Sequence, residues 1–172
     1  MKIAIIYVSK YGTTEKVAVS IADKLKESNE VALISLKKTA NPDISGFEMV
    51  ILGAPIYAGQ ASKKMKTFYN KNEQALLQKK TGLFVCGMEP TREKRKQELE
   101  GAYSEELLKN AVATAFLGGA FLFERMNFIE RIIIHKIAKT NVSVSKIDWN
   151  AIENFVKKLF FAENDNTLFC NA

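Results

Sequence analysis

The feature that most constrains the fold is an unbroken apolar run near the start of the chain. Ile3–Val8 contains no charged residue and no polar alternation, which is typical of a strand buried on both faces of a parallel sheet. After it the period changes: Val17, Ile21 and Leu25 stand four apart, which predicts an amphipathic helix from about Thr13 to Ser28. A buried strand that leads directly into a helix indicates a βαβ unit.

The same alternation of strand and helix continues along the chain, which predicts an α/β fold with right-handed crossovers and a doubly wound sheet. Asp148 is the predicted N-cap of a terminal helix, whose apolar stripe is expected to cover one face of the sheet. That stripe consists of Trp149, Ile152, Phe155, Val156, Leu159 and Phe160. The further predicted strands are Val31–Leu36, Met49–Gly53, Gly82–Cys86 and Val112–Leu117, and the further predicted helices are Ser62–Leu77 and Tyr103–Asn110.

Length and composition indicate one domain over residues 1–172. A chain of this size buries roughly 70% of its unfolded surface, so it needs neither disulfides nor a structural metal. Its two cysteines form no CxxC or Cys/His cluster, and no metal is expected. The longest uncharged run, Asn110–Phe123, has 14 residues and is too short to span a bilayer as a helix. A cytoplasmic protein without a signal peptide is the resulting expectation.

The residues after the first strand are suited to bind phosphate. Ser9-Lys10-Tyr11-Gly12-Thr13-Thr14 combines three hydroxyl side chains with one glycine where a helix N-terminus exposes free N–H groups. The run lacks both the Walker A lysine and the GxGxxG pattern. From these residues alone, a simple helix cap is as good an interpretation as a phosphate site.

Ser9-x-x-Gly12-x-Thr14 resembles the phosphate loop of flavodoxins, with Tyr11 where threonine is usual. The resemblance implies FMN as cofactor and a five-stranded parallel sheet of order 2-1-3-4-5 with helices on both faces. It also implies that Tyr57 stacks on the flavin ring and that Gly59 lets the adjacent peptide reorient. The cofactor-binding residues expected from it are Ser9, Lys10, Tyr11, Gly12, Thr13, Thr14, Pro55, Ile56, Tyr57, Ala58, Gly59, Cys86, Gly87 and Met88.

The second half of the chain resembles the flavodoxin-like, quinone-dependent protoporphyrinogen IX dehydrogenases of bacteria. The resemblance rests on a helical insertion over residues 124–146 after the fifth strand and on the Asp148-Trp149 pair that opens the last helix. It implies a porphyrinogen substrate and a quinone acceptor, but it identifies no catalytic residue. Apolar residues wrap widely around Met126–Ala138. This pattern leaves four alternatives: packing on the sheet, a homodimer contact, an apolar ligand wall, or a peripheral contact with the inner face of the membrane.

Charge is concentrated in one part of the chain. Between Gln60 and Glu100 ten Lys and Arg stand against five Glu, which leaves +5 of the net +6. Solvated helix faces explain such a segment, and so does an anionic small-molecule substrate beside the flavin.

The basic balance disfavours an acidic electron carrier, although a flavodoxin carrier remains the alternative function. No nucleic-acid-binding motif is present. A phosphoacceptor regulator is disfavoured because Val8-Ser9-Lys10 and Gly53-Ala54-Pro55 lack its acidic residues.

Overall fold

A computed structural model describes residues 1–121, 132 and 143–164 of the chain. Strands are interspersed with helices along most of the chain, and two short strands precede the terminal helix. In chain order the elements are β1 Lys2–Tyr7, α1 Thr13–Leu25, β2 Glu30–Ser35, β3 Met49–Tyr57, β4 Gln60–Ala61, α2 Lys63–Leu77, β5 Lys80–Cys86, α3 Arg92–Glu100, α4 Glu105–Asn110, β6 Ala111–Phe116, β7 Gly118–Phe121, β8 Val144–Ile147 and α5 Trp149–Asn164.

The main sheet is parallel in the order β2-β1-β3-β5-β6, and the short β4 pairs antiparallel with the end of β3. This confirms the predicted order 2-1-3-4-5, since β5 and β6 are the fourth and fifth parallel strands. Ile5 of β1 stands opposite Leu33 of β2 and Ile51 of β3 in the central register. The predicted doubly wound α/β fold is therefore confirmed.

Two apolar cores lie on opposite faces of the sheet, which explains the lack of polar alternation in β1. On one face Ile3 and Ile5 pack with residues of α1 and α5. On the other, Ala4 and Ile6 pack with residues of α2 and α4. The β1 side chains from Ile3 to Tyr7 are therefore buried whichever face of the sheet they point to.

The terminal helix confirms its predicted cap but not its whole stripe. The Ala151 N–H donates to Asp148 Oδ1 at 2.9 Å, so Asp148 caps α5. Four of the six predicted stripe residues are buried, whereas Phe160 is half-buried. Trp149 is 48% exposed, so its prediction as a core residue is wrong. At the first helical position its ring lies under the Lys16 ammonium, 5.6 Å from the ring centroid, instead of against the sheet.

Four elements, α3 and the short strands β4, β7 and β8, were not predicted because their residues give no helical or strand period. Helix α3 has no buried side chain, so no apolar stripe marks it. Strands β7 and β8 form a separate antiparallel ribbon, in which Gly118 pairs with Ile147 and Phe121 with Val144. The predicted insertion over 124–146 therefore ends in a strand. Its predicted helix Met126–Ala138 lies outside the described residues except for Ile132, a helical and exposed residue. The single histidine of the chain, His135, and its second cysteine, Cys170, also lie outside the described residues.

No helix in the described part of the chain is both long enough and apolar enough to cross a membrane.

Candidate functional site

Three chain turns meet at the carboxyl edge of the central strands. They are the first loop, Val8–Gly12 between β1 and α1; the hairpin turn, Ala58–Gly59 between β3 and β4; and the β5 loop, Gly87–Thr91 between β5 and α3. Strands β1, β3 and β5 are parallel neighbours, so their carboxyl ends lie side by side. This is the edge at which open α/β sheets bind ligands.

The first loop is held by one local hydrogen bond and by bonds from other elements: the Val8 N–H donates to the Gly53 carbonyl at 3.0 Å, and Lys37 Nζ donates to the Lys10 carbonyl at 3.4 Å. The Gly12 N–H donates to Ser9 Oγ at 3.0 Å, and Ser9 is buried. Gly12 is the N-cap residue of α1. It has a φ of 98°, in the left-handed region, and it provides no side-chain cap for the helix. Glycine is required there because other residues adopt this φ only with strain. The first turn of α1 therefore presents main-chain N–H groups without a capping side chain.

The two threonines that follow have different surroundings. Thr13 Oγ1 is buried and has no hydrogen-bond partner among the described residues. A buried hydroxyl without a partner is costly, so an acceptor at this point is favoured. Thr14 is 1% exposed, and its side chain hydrogen-bonds with the Cys86 thiol. Thr13 thus presents an unpartnered hydroxyl at the helix N-terminus, while the Thr14 hydroxyl joins the first loop to the end of β5.

The hairpin turn carries Tyr57 to the first loop. The ring of Tyr57 meets the edge of Tyr11 with centroids 5.7 Å apart and an interplanar angle of 84°. The Lys10 ammonium lies 5.0 Å from the Tyr11 ring and 5.9 Å from the Tyr57 ring. Burial of the phenol raises the pKa of Tyr57 to about 12, against the opposing effect of a hydrogen bond with the Lys10 main chain. The ring remains 40% exposed and presents an aromatic surface at the sheet edge.

Strand β3 extends further than the predicted Met49–Gly53 and ends at Tyr57. Pro55 and Ile56 are therefore buried strand residues, with Pro55 opposite Cys86 of β5. A proline is tolerated here because β1 pairs with β3 only as far as Gly53, which leaves this part of β3 with a free edge. Of the expected residues in this segment, Tyr57, Ala58 and Gly59 are the exposed ones.

Both residues of the hairpin turn have positive φ, 48° for Ala58 and 72° for Gly59. A two-residue turn of this kind matches the twist of an antiparallel pair. Ala58 is the only non-glycine residue with positive φ in the described part of the chain, and it carries the strain of the left-handed region. The turn therefore fixes where Tyr57 stands.

The β5 loop is supported by residues distant in sequence. The Gly87 N–H donates to the Gly118 carbonyl at 3.1 Å, and a Cβ on Gly119 would lie 2.5 Å from the Gly87 carbonyl oxygen. Cys86 is buried, and burial raises the pKa of its thiol to about 12, so the thiol is a neutral packing group. Gly87 is buried and Met88 half-buried.

Helix α3 adds two side chains that sequence reasoning did not select. Arg95 Nε donates to the Glu89 carbonyl at 2.6 Å, and its guanidinium lies 5.3 Å from the Phe116 ring centroid. Glu98 turns toward Gly87. The paired glycines at 118 and 119 were visible in the sequence, but nothing in their pattern indicated contact with the β5 loop. In the described ranges 1–121 and 143–164, no three His, Cys, Asp or Glu side chains are placed to hold a metal ion.

Comparisons with known proteins agree with this architecture. The Flavodoxin domain family matches residues 4–146. Protoporphyrinogen IX dehydrogenase (quinone) of Escherichia coli strain K12 is 21% identical and covers 98% of this chain and 99% of its own length. A short-chain flavodoxin associated with a non-canonical PDU bacterial microcompartment superposes with a TM-score of 0.65 at 15% identity, over 94% of this chain and 98% of its own. A Fusobacterium nucleatum flavodoxin bound to flavin mononucleotide gives a TM-score of 0.50 at 22% identity, over 66% and 68% of the two chains. The chain belongs to the Flavodoxin domain family.

Proposed function

We propose that this chain binds FMN and is an oxidoreductase of the protoporphyrinogen IX dehydrogenase (quinone) type. The observation that carries the cofactor assignment is the buried Thr13 hydroxyl at the N-terminus of α1, which has no partner among the described residues, in the same loop region that the exposed Tyr57 ring contacts through Tyr11. A phosphate would accept hydrogen bonds from this hydroxyl and from the first main-chain N–H groups of α1. FMN carries a phosphate and a flat ring, so it fits both parts of the site.

Each part of the site has one task in this proposal. The first loop binds the phosphate through Gly12, Thr13 and the main chain, and Tyr57 packs against the flavin ring. The β5 loop would offer main-chain groups of Met88 to the pyrimidine end of the ring, whereas Gly87 is buried and its N–H already donates to the Gly118 carbonyl. When bound, FMN supplies the hydride or electron chemistry.

Similarity over nearly the full length of both chains supports the dehydrogenase assignment. The basic first turn of α2 is consistent with it: Lys63 and Lys64 are exposed, the turn contains no acidic residue, and it follows closely on the Tyr57 hairpin. A porphyrinogen carries carboxylates, which this local positive potential would attract.

A flavodoxin that only carries electrons is the second candidate. The short-chain flavodoxin that shares the fold favours it. The positive charge of this chain is the opposing observation, because an electron carrier that docks on basic partners is itself acidic.

FMN binding is tested first, by titrating the purified protein with FMN and following quenching of flavin fluorescence. Thr13→Val removes the unpartnered hydroxyl with little change in shape, and we expect it to weaken FMN binding 10- to 100-fold, the effect of one hydrogen bond to a charged group. Thr81→Val is the matched control, because Thr81 Oγ1 is also buried without a described partner but lies on β5 at the opposite edge of the sheet. Equal FMN affinity in both variants would contradict the phosphate assignment.

The reaction is tested with the FMN-loaded protein under anaerobic conditions, which suppress spontaneous oxidation of the porphyrinogen. Protoporphyrinogen IX and a quinone are mixed with the protein, and porphyrin fluorescence and quinone absorbance are followed together. Porphyrin formation that depends on both protein and quinone supports the dehydrogenase. Its absence, with FMN that an external reductase still reduces, supports the electron carrier.

A further inference from the structure

Glu98 is a half-buried carboxylic acid of α3 that lies behind the β5 loop. Its Oε2 atom is fully buried and has no hydrogen-bond partner among the described residues. The same atom lies 3.3 Å from the position of a Cβ on Gly87, which places it directly against the main chain of the loop. The other acidic residues of α3, Glu93 and Glu100, are exposed. Glu98 therefore differs from its neighbours on the same helix.

Among the described residues, the charged groups that affect the Glu98 carboxyl act in opposite directions. Burial raises the pKa of the Glu98 carboxyl, and the nearby Glu89 carboxylate raises it further. Arg95 and Lys94 oppose this shift, but Arg95 is already bonded to the Glu89 carbonyl and packed on Phe116. The Phe116 ring of β6 and Glu98 Oε2 lie 3.0 and 3.3 Å from the same Cβ position on Gly87, and neither Gly87 nor Phe116 ionises. Cys86, the next residue in β5, stays a neutral thiol.

A buried carboxylate oxygen with no hydrogen-bond donor nearby is disfavoured in its charged form. Added negative charge at the β5 loop would disfavour the charged Glu98 carboxylate further. Reduction of FMN brings such charge, because the electron pair enters a ring whose pyrimidine end lies at this loop in the function proposed above. Glu98 is the acidic group with an unpartnered buried oxygen at this loop in the described residues.

We propose, on the basis of the proposed FMN site, that the Glu98 carboxyl takes up a proton from solvent when FMN at the β5 loop is reduced. In this step an external two-electron donor supplies the electron pair, the flavin ring gains that pair and its own proton, and Glu98 Oε2 gains a second proton from water. No bond to the protein forms or breaks. Proton uptake by Glu98 thus lowers the net negative charge next to the reduced ring.

The expected signature is an additional pH dependence of the reduction potential of bound FMN. Over the pH range in which Glu98 is charged beside the oxidised ring and neutral beside the reduced one, each pH unit changes the reduction equilibrium by a further factor of ten. For a two-electron couple that factor corresponds to about 30 mV. The range begins above the ordinary Glu value of about 4.3, since burial raises the pKa of this carboxyl in the folded protein.

The experiment measures the reduction potential of the FMN-loaded full chain from pH 4.5 to 8 in the wild type, Glu98→Gln and the matched surface control Glu93→Gln. We expect the additional slope in the wild type and in Glu93→Gln, and its loss in Glu98→Gln. Carboxyl NMR of the wild type checks the same point directly: the pKa of Glu98 should be higher with reduced FMN than with oxidised FMN. An equal pKa in both states, or the same slope in all three proteins, would overturn the proposal.

The outcomes separate this inference from the function on which it depends. A chain that does not bind FMN overturns both. A chain that binds FMN with a pH dependence unaffected by Glu98→Gln overturns this inference alone.

Discussion

The first loop and the β5 loop lie at the same edge of the sheet, but their glycines are held in different ways. The Gly12 N–H of the first loop donates to Ser9, three positions away. The Gly87 N–H of the β5 loop donates to Gly118, about thirty residues further along the chain, and Gly119 packs against the Gly87 carbonyl. The bond at Gly12 needs only the flanking strand and helix. The bond at Gly87 needs a distant strand as well, so mutations outside the site can reach it.

The largest expected effect comes from breaking the distant support. A Cβ on Gly118 would lie 2.0 Å from the Lys146 carbonyl oxygen, and the residue has a φ of 72°. Because backbone atoms cannot yield as a side chain can, we expect Gly118→Ala to lower the free energy of unfolding by at least about 3 kcal/mol. Urea denaturation measures this, with Gly46→Ala as control, since nothing lies within 4 Å of a Cβ there. Equal stability of the two variants would show that the support is dispensable.

The next effect concerns Cys86, which lies at the start of the β5 loop and bonds with Thr14 at the start of α1. Its pKa is about 12 in the folded protein, above its ordinary value of 9.0. The folded state therefore holds the thiol proton more tightly, and stability is complete below the unfolded pKa and declines as pH rises above it. Because the unfolded thiol is only half ionised at pH 9, we expect a loss of about 1 kcal/mol between pH 9 and 10.

This pH effect is measured by urea denaturation in a Cys170→Ser background, which leaves Cys86 as the sole thiol. The window ends at pH 10 because Tyr57 and Tyr103, whose pKa values are also raised in the folded protein, contribute above it. Cys86→Ala should remove the dependence. A stability that stays constant from pH 8 to 10 in the Cys86 protein would contradict the burial of its thiol.

A smaller effect is expected in the first loop, where the strain is local. Gly12→Ala places a side chain at a φ of 98°, which costs about 1 to 2 kcal/mol, partly offset by the lower entropy of the unfolded chain. We therefore expect a net loss of about 1 kcal/mol in unfolding free energy, accompanied by weaker FMN binding. If this variant loses as much stability as Gly118→Ala, the contrast between the two loops is wrong.

The smallest effect is expected in the hairpin turn, which is also local. Ala58→Gly relieves the strain of a positive φ but adds unfolded-state entropy, so we expect a change in unfolding free energy of less than about 0.5 kcal/mol. Gly59→Ala at a φ of 72° should cost about 1 kcal/mol, since it introduces strain without relieving any. Thermal unfolding of the two variants side by side tests this asymmetry, and the opposite order would show that another constraint fixes the turn.

Particular residues show how far sequence reasoning reaches at the site. Gly12 followed by two threonines after a buried strand predicted a helix N-terminus, and the structure has α1 beginning at Thr13. The Thr13 hydroxyl was among the predicted donors, but its lack of a partner became visible only with the surrounding atoms. The predicted third strand ended at Gly53 and left Pro55 and Ile56 to the flavin loop that the resemblance to flavodoxins implies, whereas β3 continues through both residues.

Helix α3 and the β7–β8 ribbon were missed for a related reason. Leu99 is the one aliphatic residue in α3, so no 3.6-residue period exists for a sequence pattern to detect. Strand β8, Val-Ser-Lys-Ile, is short and half polar, and it becomes a strand through pairing with Gly118–Phe121 more than twenty residues earlier.

The α/β class, the first loop and the cap of the last helix could be predicted from the sequence, and the resemblance to flavodoxins supplied the strand order. The first three features depend on the apolar period and on residues a few positions apart, which are already neighbours in the chain before it folds. The length of β3, the exposure of Trp149, the support of Gly87 by Gly118 and Gly119, and the burial of the Glu98 Oε2 atom became visible only in the folded structure. Each of these depends on which distant atoms occupy the neighbouring space, and the packing of the sheet against its helices fixes that occupancy only when the chain is folded.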